Sequence, residues 1–375
     1  MKRKKRKPKW SSRSSRSPLD RQLSKAETYL NQEQPGLALE VLERVPARYH
    51  RDAEFRYLRG MVRMIVGEFH SAIDDLEYAL KNEQAGSSRF LQLAMAYMLL
   101  SWPRHAWYYC ERFLQQPEQR DIIEPARAMM ADAKSMVAAE AETLGVPLDR
   151  LAKALFPHER AQLHLAFGRT TDARRECSQA IRLLPNWPAP RNNKALAIYF
   201  IGDVQQAIQL EEDVLQTLDS DNLPALGNLI QFHFAILDDE PAKMYGNRLR
   251  ALMLSDAYSP SDLNKAVEAL GFLEDDETLL RVARTASDFD ASELDGETWY
   301  ILGAAAANAS NAKLAKHLLE NAQAMGSSVD HWVDMALGIV EDRRSHPYAL
   351  KGFSLQERFP YIHYTRLLTR TIVED

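Results

Sequence analysis

Residues 67–80, GEFHSAIDDLEYAL, have a shorter counterpart in residues 202–208, GDVQQAI. Both stretches begin with a glycine and reach an alanine five residues later, at Ala72 and Ala207. Apolar residues recur every three or four positions in the longer stretch, which predicts an amphipathic helix. Each glycine follows an earlier amphipathic run, and the end of a helix is where glycine readily adopts a left-handed backbone. Each stretch therefore predicts the turn and second helix of a helix hairpin.

The alanine of this pattern returns along the chain with a period of about 34 residues, which indicates an internal repeat. Successive members lie 34 or 35 residues apart, except for two gaps of 67 and 73 residues. Each wide gap is close to two periods and predicts a degenerate unit, near 121–153 and near 258–294. A small side chain suits the point where the two helices of a hairpin cross. The repeating positions are Ala38, Ala72, Ala106, Ala173, Ala207, Ala242 and Ala315.

The last of these alanines belongs to a longer pattern, in which Trp299-x-x-Leu302-Gly303 precedes Ala315. It resembles the tetratricopeptide repeat, whose signature is W-x2-L-G-x2-Y, then A-x3-F, then proline. Arg59 and Arg63 depart from the family pattern, which has leucine and an aromatic residue there. A second match is formed by Phe90, Leu93, Ala94, Tyr97, Ala106, Phe113 and Pro117.

The resemblance implies an all-α fold, a right-handed α-solenoid (superhelix) of about nine helix hairpins over residues 19–328. Residues 329–375 are expected to form a C-terminal helical cap, and residues 1–18 a disordered basic arm. Such stacks present a long concave surface formed by the first helix of every unit. That surface is the expected binding site.

Composition and charge point to a soluble folded protein, since 46% of the 375 residues are hydrophobic and 26% are charged. No stretch approaches the ~18 apolar residues of a membrane helix, and the N-terminal charged block lacks a secretory signal's apolar run. We expect a cytoplasmic protein, or a nuclear one if the source is eukaryotic, with no membrane partner. The two cysteines, Cys110 and Cys177, are too few for a disulfide framework or a zinc cluster and should lie in the core.

No catalytic pattern accompanies the repeats. The sequence has no phosphate-binding glycine-rich loop, no serine nucleophile elbow and no paired catalytic carboxylates. His158 and His164 are six residues apart, so on a helix they point about 120° apart and one zinc ion cannot take both. We expect His158 at the surface and His164 packed in a hairpin. The sequence thus predicts no enzyme, no cofactor and no metal.

Positions that face the ligand in the family form a methionine-rich apolar strip in the second and third units. Flexible, polarizable methionines suit a surface that accepts varied apolar helices or peptides. The alternative is that Met61 and Met95 fill the core between units. The strip comprises Tyr57, Met61, Met64, Ile65, Leu91, Met95, Met98 and Leu99.

Further along, asparagines recur 35 and 36 residues apart, at Asn193, Asn228 and Asn264. They resemble the asparagine ladder with which some tetratricopeptide superhelices hold a peptide backbone. An amide can donate to a carbonyl and accept from an N–H at once. Alternatively, these asparagines are structural. The expected neighbours of the ladder are Asn192, Tyr199, Phe200, Gln231 and Phe234.

The N-terminal arm is strongly basic, since residues 1–17 carry nine Lys and Arg and no acid. Taking these nine from 47 leaves 38 basic against 52 acidic residues in the rest of the chain, a net charge of −14. The arm could bind nucleic acid through phosphate contacts and stacking, serve nuclear import, act as a solubilising tail, or lie on the acidic body. Its candidate contacts are Lys2, Arg3, Lys4, Lys5, Arg6, Lys7, Lys9 and Trp10.

These observations favour a non-enzymatic scaffold that binds a protein, peptide or helical segment along the concave face. The alternative is a nucleic-acid- or ribosome-associated adaptor that uses the basic arm.

Overall fold

The computed structural model describes residues 17–82, 88–117, 120–255, 260–273, 275–309, 311–325 and 330–341. Across these ranges the chain forms eighteen α-helices and two short 3-10 turns, at Ala47–Tyr49 and Ala291–Glu293, and no strand. The predicted all-α class is confirmed. None of the helices in these ranges is both long and apolar enough to cross a bilayer.

The chain divides into two compact units, unit 1 (Met1–Ser135) and unit 2 (Met136–Asp375). Unit 1 contains α1 (Pro18–Asn31), α2 (Pro35–Glu43), α3 (Ala53–Ile65), α4 (Phe69–Asn82), α5 (Ser88–Leu99) and α6 (Pro103–Gln115). The boundary falls within α7 (Ile123–Thr143). Unit 2 contains α8 (Leu148–Ala166), α9 (Thr170–Leu183), α10 (Ala189–Tyr199), α11 (Val204–Thr217), α12 (Leu223–Ala235), α13 (Asp239–Met253), α14 (Pro260–Phe272), α15 (Asp276–Ala286), α16 (Gly296–Asn308), α17 (Ala312–Met325) and α18 (Asp330–Glu341).

Within each unit, consecutive helices pack as hairpins. In unit 1 these are α1 with α2, α3 with α4, and α5 with α6. In unit 2 they are α8 with α9, α10 with α11, α12 with α13, α14 with α15, and α16 with α17, after which α18 packs on α17. The first helices α12, α14 and α16 also pack against one another in sequence. Hairpins that contact mainly their neighbours are the arrangement of an α-solenoid.

The recurring alanine is the fourth residue of the second helix in seven hairpins, and it is fully buried in every one. At Ala72 the reason is visible in the opposing helix. A Cβ atom added at Gly60 of α3 would lie 3.1 Å from the Ala72 carbonyl oxygen and 2.9 Å from Leu76 Cγ. The α3 and α4 backbones therefore nearly touch, which leaves no space for a larger side chain.

The turns of six hairpins place one residue in the left-handed region, always two residues before the second helix begins. Gly67 and Gly202 have φ of +86° and +96° and fill this position as predicted. Glu33, Ser101 and Leu237 occupy it with φ between 55° and 58°. A side chain in this conformation costs about 1 kcal/mol, an amount that helix packing offsets.

The two degenerate stretches have different structures. Residues 258–294 contain the hairpin α14/α15, as predicted, with Leu279 where the repeating alanine would stand. Residues 121–153 do not form a separate hairpin, because the single 21-residue helix α7 occupies most of them and α8 has already begun. Helix α8 continues through Pro157 with Leu151, Leu155 and Leu163 buried along its apolar side. The described residues thus contain eight hairpins rather than nine.

At the N-terminus, Ser17 is the N-cap of α1 and forms a capping box with Asp20. The first helix therefore includes the last residue assigned to the arm, Pro18. The basic arm contacts in residues 1–16 lie outside the described residues, as does the part of the predicted cap in residues 342–375. Of the cap, α18 is described.

Enlarging the repeating alanine should destabilise its hairpin. We expect Ala72→Leu to lower the free energy of unfolding by about 1–3 kcal/mol, because overpacking forces the α3 and α4 backbones apart. Urea denaturation of the full chain measures this. The matched control is Ala131→Leu on an exposed face of α7, which should change stability little. Equal losses in both variants would contradict the crossing-point explanation.

Candidate functional site

The predicted apolar strip lies in unit 1, on the first helices of two consecutive hairpins, α3 and α5. Three of its side chains are open to solvent, with exposed fractions of 56% for Ile65, 40% for Met95 and 53% for Leu99. Of the others on the same two helices, Leu91 is buried and the rest are half-buried. Ile65 and Leu99 occupy equivalent positions of α3 and α5, so these exposed apolar side chains form a candidate interaction site. The methionine surface comprises Met61, Met64, Ile65, Met95, Met98 and Leu99.

Two members of the predicted strip are placed differently. The Tyr57 ring lies beneath the Arg89 guanidinium, whose carbon is 4.3 Å from the ring centroid. Arg89 Nη2 also lies 3.8 Å from Glu54 Oε2, so this residue of α5 is held to α3 by two contacts. Leu91 is buried. Tyr57 and Leu91 therefore support the surface from within the structure, and sequence reasoning missed Arg89.

Residues two apart on a helix point about 200° apart, as Met61 and Arg63 do on α3. The arginines of α3 therefore lie on the side opposite Met61. Arg59 donates to both carboxylate oxygens of Asp75 on α4, at 2.7 and 2.8 Å, and Arg63 donates at 2.9 Å. Arg56 donates to the same carboxylate. Asp75 is fully buried. The two departures from the family pattern, Arg59 and Arg63, thus share one buried anion.

This arginine–Asp75 cluster fixes the rotation of α3 about its axis. The charged side is tied to α4 by hydrogen bonds, so the opposite side, with Met61 and Ile65, is directed away from α4. Hydrogen bonds between ionised groups are about twice as strong as neutral ones and geometrically specific. The cluster therefore orients half of the methionine surface.

Removing the shared anion should be costly. We expect Asp75→Asn to lower the free energy of unfolding by about 3–5 kcal/mol, since it leaves buried guanidinium charge uncompensated. Asp74→Asn is the matched control, because Asp74 is partly exposed and contacts Arg56 at 3.4 Å. It should cost less than about 1 kcal/mol. Thermal and urea unfolding measure the loss of stability in each variant. Similar losses in Asp75→Asn and Asp74→Asn would contradict the role assigned to the cluster.

In unit 2, the predicted asparagine ladder is built into the helix packing. Asn228 is 1% exposed, and its Nδ2 donates to Glu211 Oε1 on α11. Asn193 is also buried, while Asn264 is half-buried and its Oδ1 accepts from the Asp295 backbone N–H at 3.5 Å. The Asn228 amide therefore already donates to the preceding hairpin, and its contact with a peptide stays a prediction.

The predicted neighbours of the ladder are likewise engaged. The Tyr199 ring stacks on Phe232 with 4.6 Å between centroids, and burial raises the pKa of Tyr199 to about 12. Gln231 is buried, and its Oε1 accepts from Lys265 Nζ on α14. These side chains join successive first helices to one another. They do not form the open row of amides that a peptide backbone requires.

Glu211 is a buried carboxyl group that sequence reasoning missed. Burial raises the pKa of Glu211 to about 8, although the hydrogen bond from Asn228 and the charge of Lys265 oppose the shift. Its Oε2 atom has no hydrogen-bond partner among the described residues. Glu211 is therefore largely protonated at neutral pH. In the sequence Glu211 stands next to Glu212, and nothing distinguishes it from an exposed acid on a helix.

The raised pKa of Glu211 predicts a pH dependence of stability. Between its unfolded value near 4.5 and about 8, the folded state holds a proton that the unfolded state has released. Stability from this group therefore falls as pH rises through that window. We expect Glu211→Gln to flatten the decline by about 2–5 kcal/mol between pH 5 and pH 8.

Urea denaturation at the two pH values measures this difference. Asp213→Asn, an exposed acid two residues away, removes the same charge and should leave the slope unchanged. Identical slopes for wild type and Glu211→Gln would contradict the buried-carboxyl account.

Both cysteines and His158 are packing residues. Cys110 and Cys177 are buried as predicted, and burial raises the pKa of their thiols to about 11 and 12. His158 was expected at the surface, but it is buried 4.6 Å from the Trp187 ring, between centroids, and burial lowers its pKa to about 4. Over the described residues, no group of three His, Cys, Asp or Glu side chains is placed to hold a metal ion.

No family model and no curated protein match the sequence. Solved structures align with most of its length. The APC/C hetero-tetramer Cut9–Hcn1 is 17% identical over 94% of this chain and 83% of the matched chain, with a TM-score of 0.39. The P58(IPK) TPR domain is 14% identical over 87% and 98%, with a TM-score of 0.32. A tetratricopeptide repeat protein from Parabacteroides merdae is 9% identical over 86% and 98%, with a TM-score of 0.31.

The fold assignment rests on the chain's own geometry. A period of about 34 residues, a buried alanine in seven of the eight described hairpins, and stacked hairpins occur together. The motif at Trp299 agrees, since Trp299 and Leu302 are buried and a Cβ atom on Gly303 would lie 2.8 Å from Leu319 Cγ. Each of the two units is an all-α stack of tetratricopeptide-like helix hairpins.

Proposed function

We propose that this chain is a non-enzymatic scaffold that binds a protein or peptide segment through the first helices of its hairpins. The observation that carries the proposal is the methionine surface of unit 1. Ile65, Met95 and Leu99 are 40–56% exposed on α3 and α5 although each is a large apolar side chain. Covering them removes apolar surface from water at about 25 cal/mol per Å².

The chemistry of this surface favours an apolar ligand face. Met95 and Leu99 are four residues apart, so they lie on the same side of α5. An amphipathic helix whose apolar side chains recur at three and four residues would match such a surface. Methionine adapts its shape to different apolar partners because it is unbranched and polarizable. We therefore expect recognition of apolar side chains with limited sequence preference.

The supporting contacts suit a rigid binding surface. Arg89 holds α5 to α3 over Tyr57, and the arginine–Asp75 cluster holds α3 to α4. A surface that is already ordered loses less conformational entropy when a partner binds. This rigidity supports binding as the role of the surface and needs no reaction chemistry.

Site-specific photo-crosslinking tests the proposal. We expect a photo-reactive residue at Met95 of the full chain to form protein adducts in the source cell extract at a several-fold higher yield than one at Leu237. Leu237 is a suitable control, because it is 89% exposed and apolar but lies in the turn between α12 and α13. Mass spectrometry of the adducts identifies the partner.

A second substitution makes the test specific. Adding Ile65→Asp should reduce the Met95 adducts by about tenfold, since a charge at the binding surface opposes desolvation. Equal yields at Met95 and Leu237 would overturn the proposal. So would adducts that contain nucleic acid instead of protein, which would favour the basic-arm adaptor.

A further inference from the structure

A cationic cavity in unit 2 lies outside the site described above. It is an open cleft lined by residues of α9, α10 and α11, with a volume of about 360 Å³, and it includes the buried side chain of Ile198. Three cationic side chains line it, Arg174 and Arg175 from α9 and Lys194 from α10. The remaining lining residues supply hydroxyl and amide groups, namely Thr171, Ser178 and Gln206. No carboxylate is among the lining residues.

Two of the three cations are available to a ligand. Arg175 is already paired, with Nη1 2.8 Å from Asp172 Oδ1 and Nη2 3.1 Å from Glu176 Oε1. Within the part of the chain that the structure describes, the side chains of Arg174 and Lys194 form no ion pair or hydrogen bond. Lys194 is half-buried. Both cations are therefore free to pair with an anion.

The polar groups of the cavity complement the two charges. Ser178 Oγ donates to the Arg174 carbonyl oxygen at 2.8 Å, which fixes the hydroxyl next to the cations. The Thr171 hydroxyl and the Gln206 amide remain as hydrogen-bond donors. Thr171 is also the second residue of α9, so the first turn of that helix lies at one edge of the cavity. The positive end of a helix dipole adds to an anion's stabilisation.

We propose that this cavity binds a phosphate monoester, with Arg174 and Lys194 as its charged ligands. A phosphate monoester carries a charge of about −1.5 to −2 at neutral pH and three strong acceptor oxygens. The two unpaired cations match the charge of the phosphate. The neutral donors match its remaining acceptor oxygens. A guanidinium group can bind two phosphate oxygens at once, and an ammonium group acts as a point charge. A carboxylate, with one charge and two oxygens, would use only part of this set.

The cavity volume also favours a phosphate carried on a larger group. A space of about 360 Å³ lies within the range of small-molecule sites and exceeds what an inorganic phosphate ion fills. The phosphate could belong to a small metabolite or to a phosphorylated side chain of a protein. The cavity shares no residue with the methionine surface, so this inference is independent of the proposed function.

Calorimetric titration of the full chain tests the inference, with inorganic phosphate, phosphoserine and a phosphoserine peptide as probes at constant ionic strength. We expect saturable binding of one equivalent and weakening by about tenfold or more in Lys194→Met and in Arg174→Gln. Arg182→Gln is the control, because it removes the same charge from an exposed position of α9 outside the cavity. It should change affinity less than twofold.

The probes also distinguish the sources of the phosphate. Tighter binding of the peptide than of phosphoserine would assign the phosphate to a protein partner, and equal binding would assign it to a small molecule. Equal weakening in all three variants would indicate unspecific charge attraction and overturn the site. Binding of acetate as tightly as phosphate would also overturn it. Circular dichroism confirms that each variant remains folded, and Lys194→Arg should retain binding.

Discussion

The close approach of two helices at a buried alanine is the constraint on which the rest of the structure depends. Where Ala72 faces Gly60, the helices meet with backbone atoms almost in contact. This distance sets how the second helix lies on the first, and hence which face of the first helix remains for the next hairpin. Repetition of one crossing along the chain generates the stack, because each hairpin offers its neighbour the same surface.

Buried ionisable groups interrupt the apolar packing in both units. In unit 1, three arginines share Asp75, whereas in unit 2 Glu211 meets a neutral amide and has its pKa raised. The difference follows from the partners. A carboxylate that accepts hydrogen bonds from several guanidinium groups holds helices in one orientation. A carboxyl group beside an amide in an apolar interior retains its proton instead.

The fold was predictable from the sequence because its main determinant is a small residue at a fixed spacing. Seven alanines reveal the period. The hairpin α14/α15 has Leu279 at the alanine position, so only the length of the gap predicted it. Helix α7 was not predictable by the same route, since apolar spacing alone does not distinguish one long helix from two short ones.

Side-chain sites were harder to predict than the fold. The exposed positions Ile65, Met95 and Leu99 follow from the helix face they occupy. The role of Asn228 depends on a carboxyl group 17 residues away, and that of Lys194 on a cavity made by three helices. Repeat position specifies where a residue lies on its own helix, but its hydrogen-bond partner is set by the neighbouring helix.

The hairpin turns have a consequence for the divergence of such chains. Three of the six left-handed turn positions are Glu33, Ser101 and Leu237 instead of glycine. The conformational cost there is about 1 kcal/mol, whereas a large side chain at a helix crossing displaces two backbones. Mutational drift should therefore erase the glycines first and retain the alanines longest. In distant descendants of this chain, the ancestral repeat would be recognisable by its alanines alone.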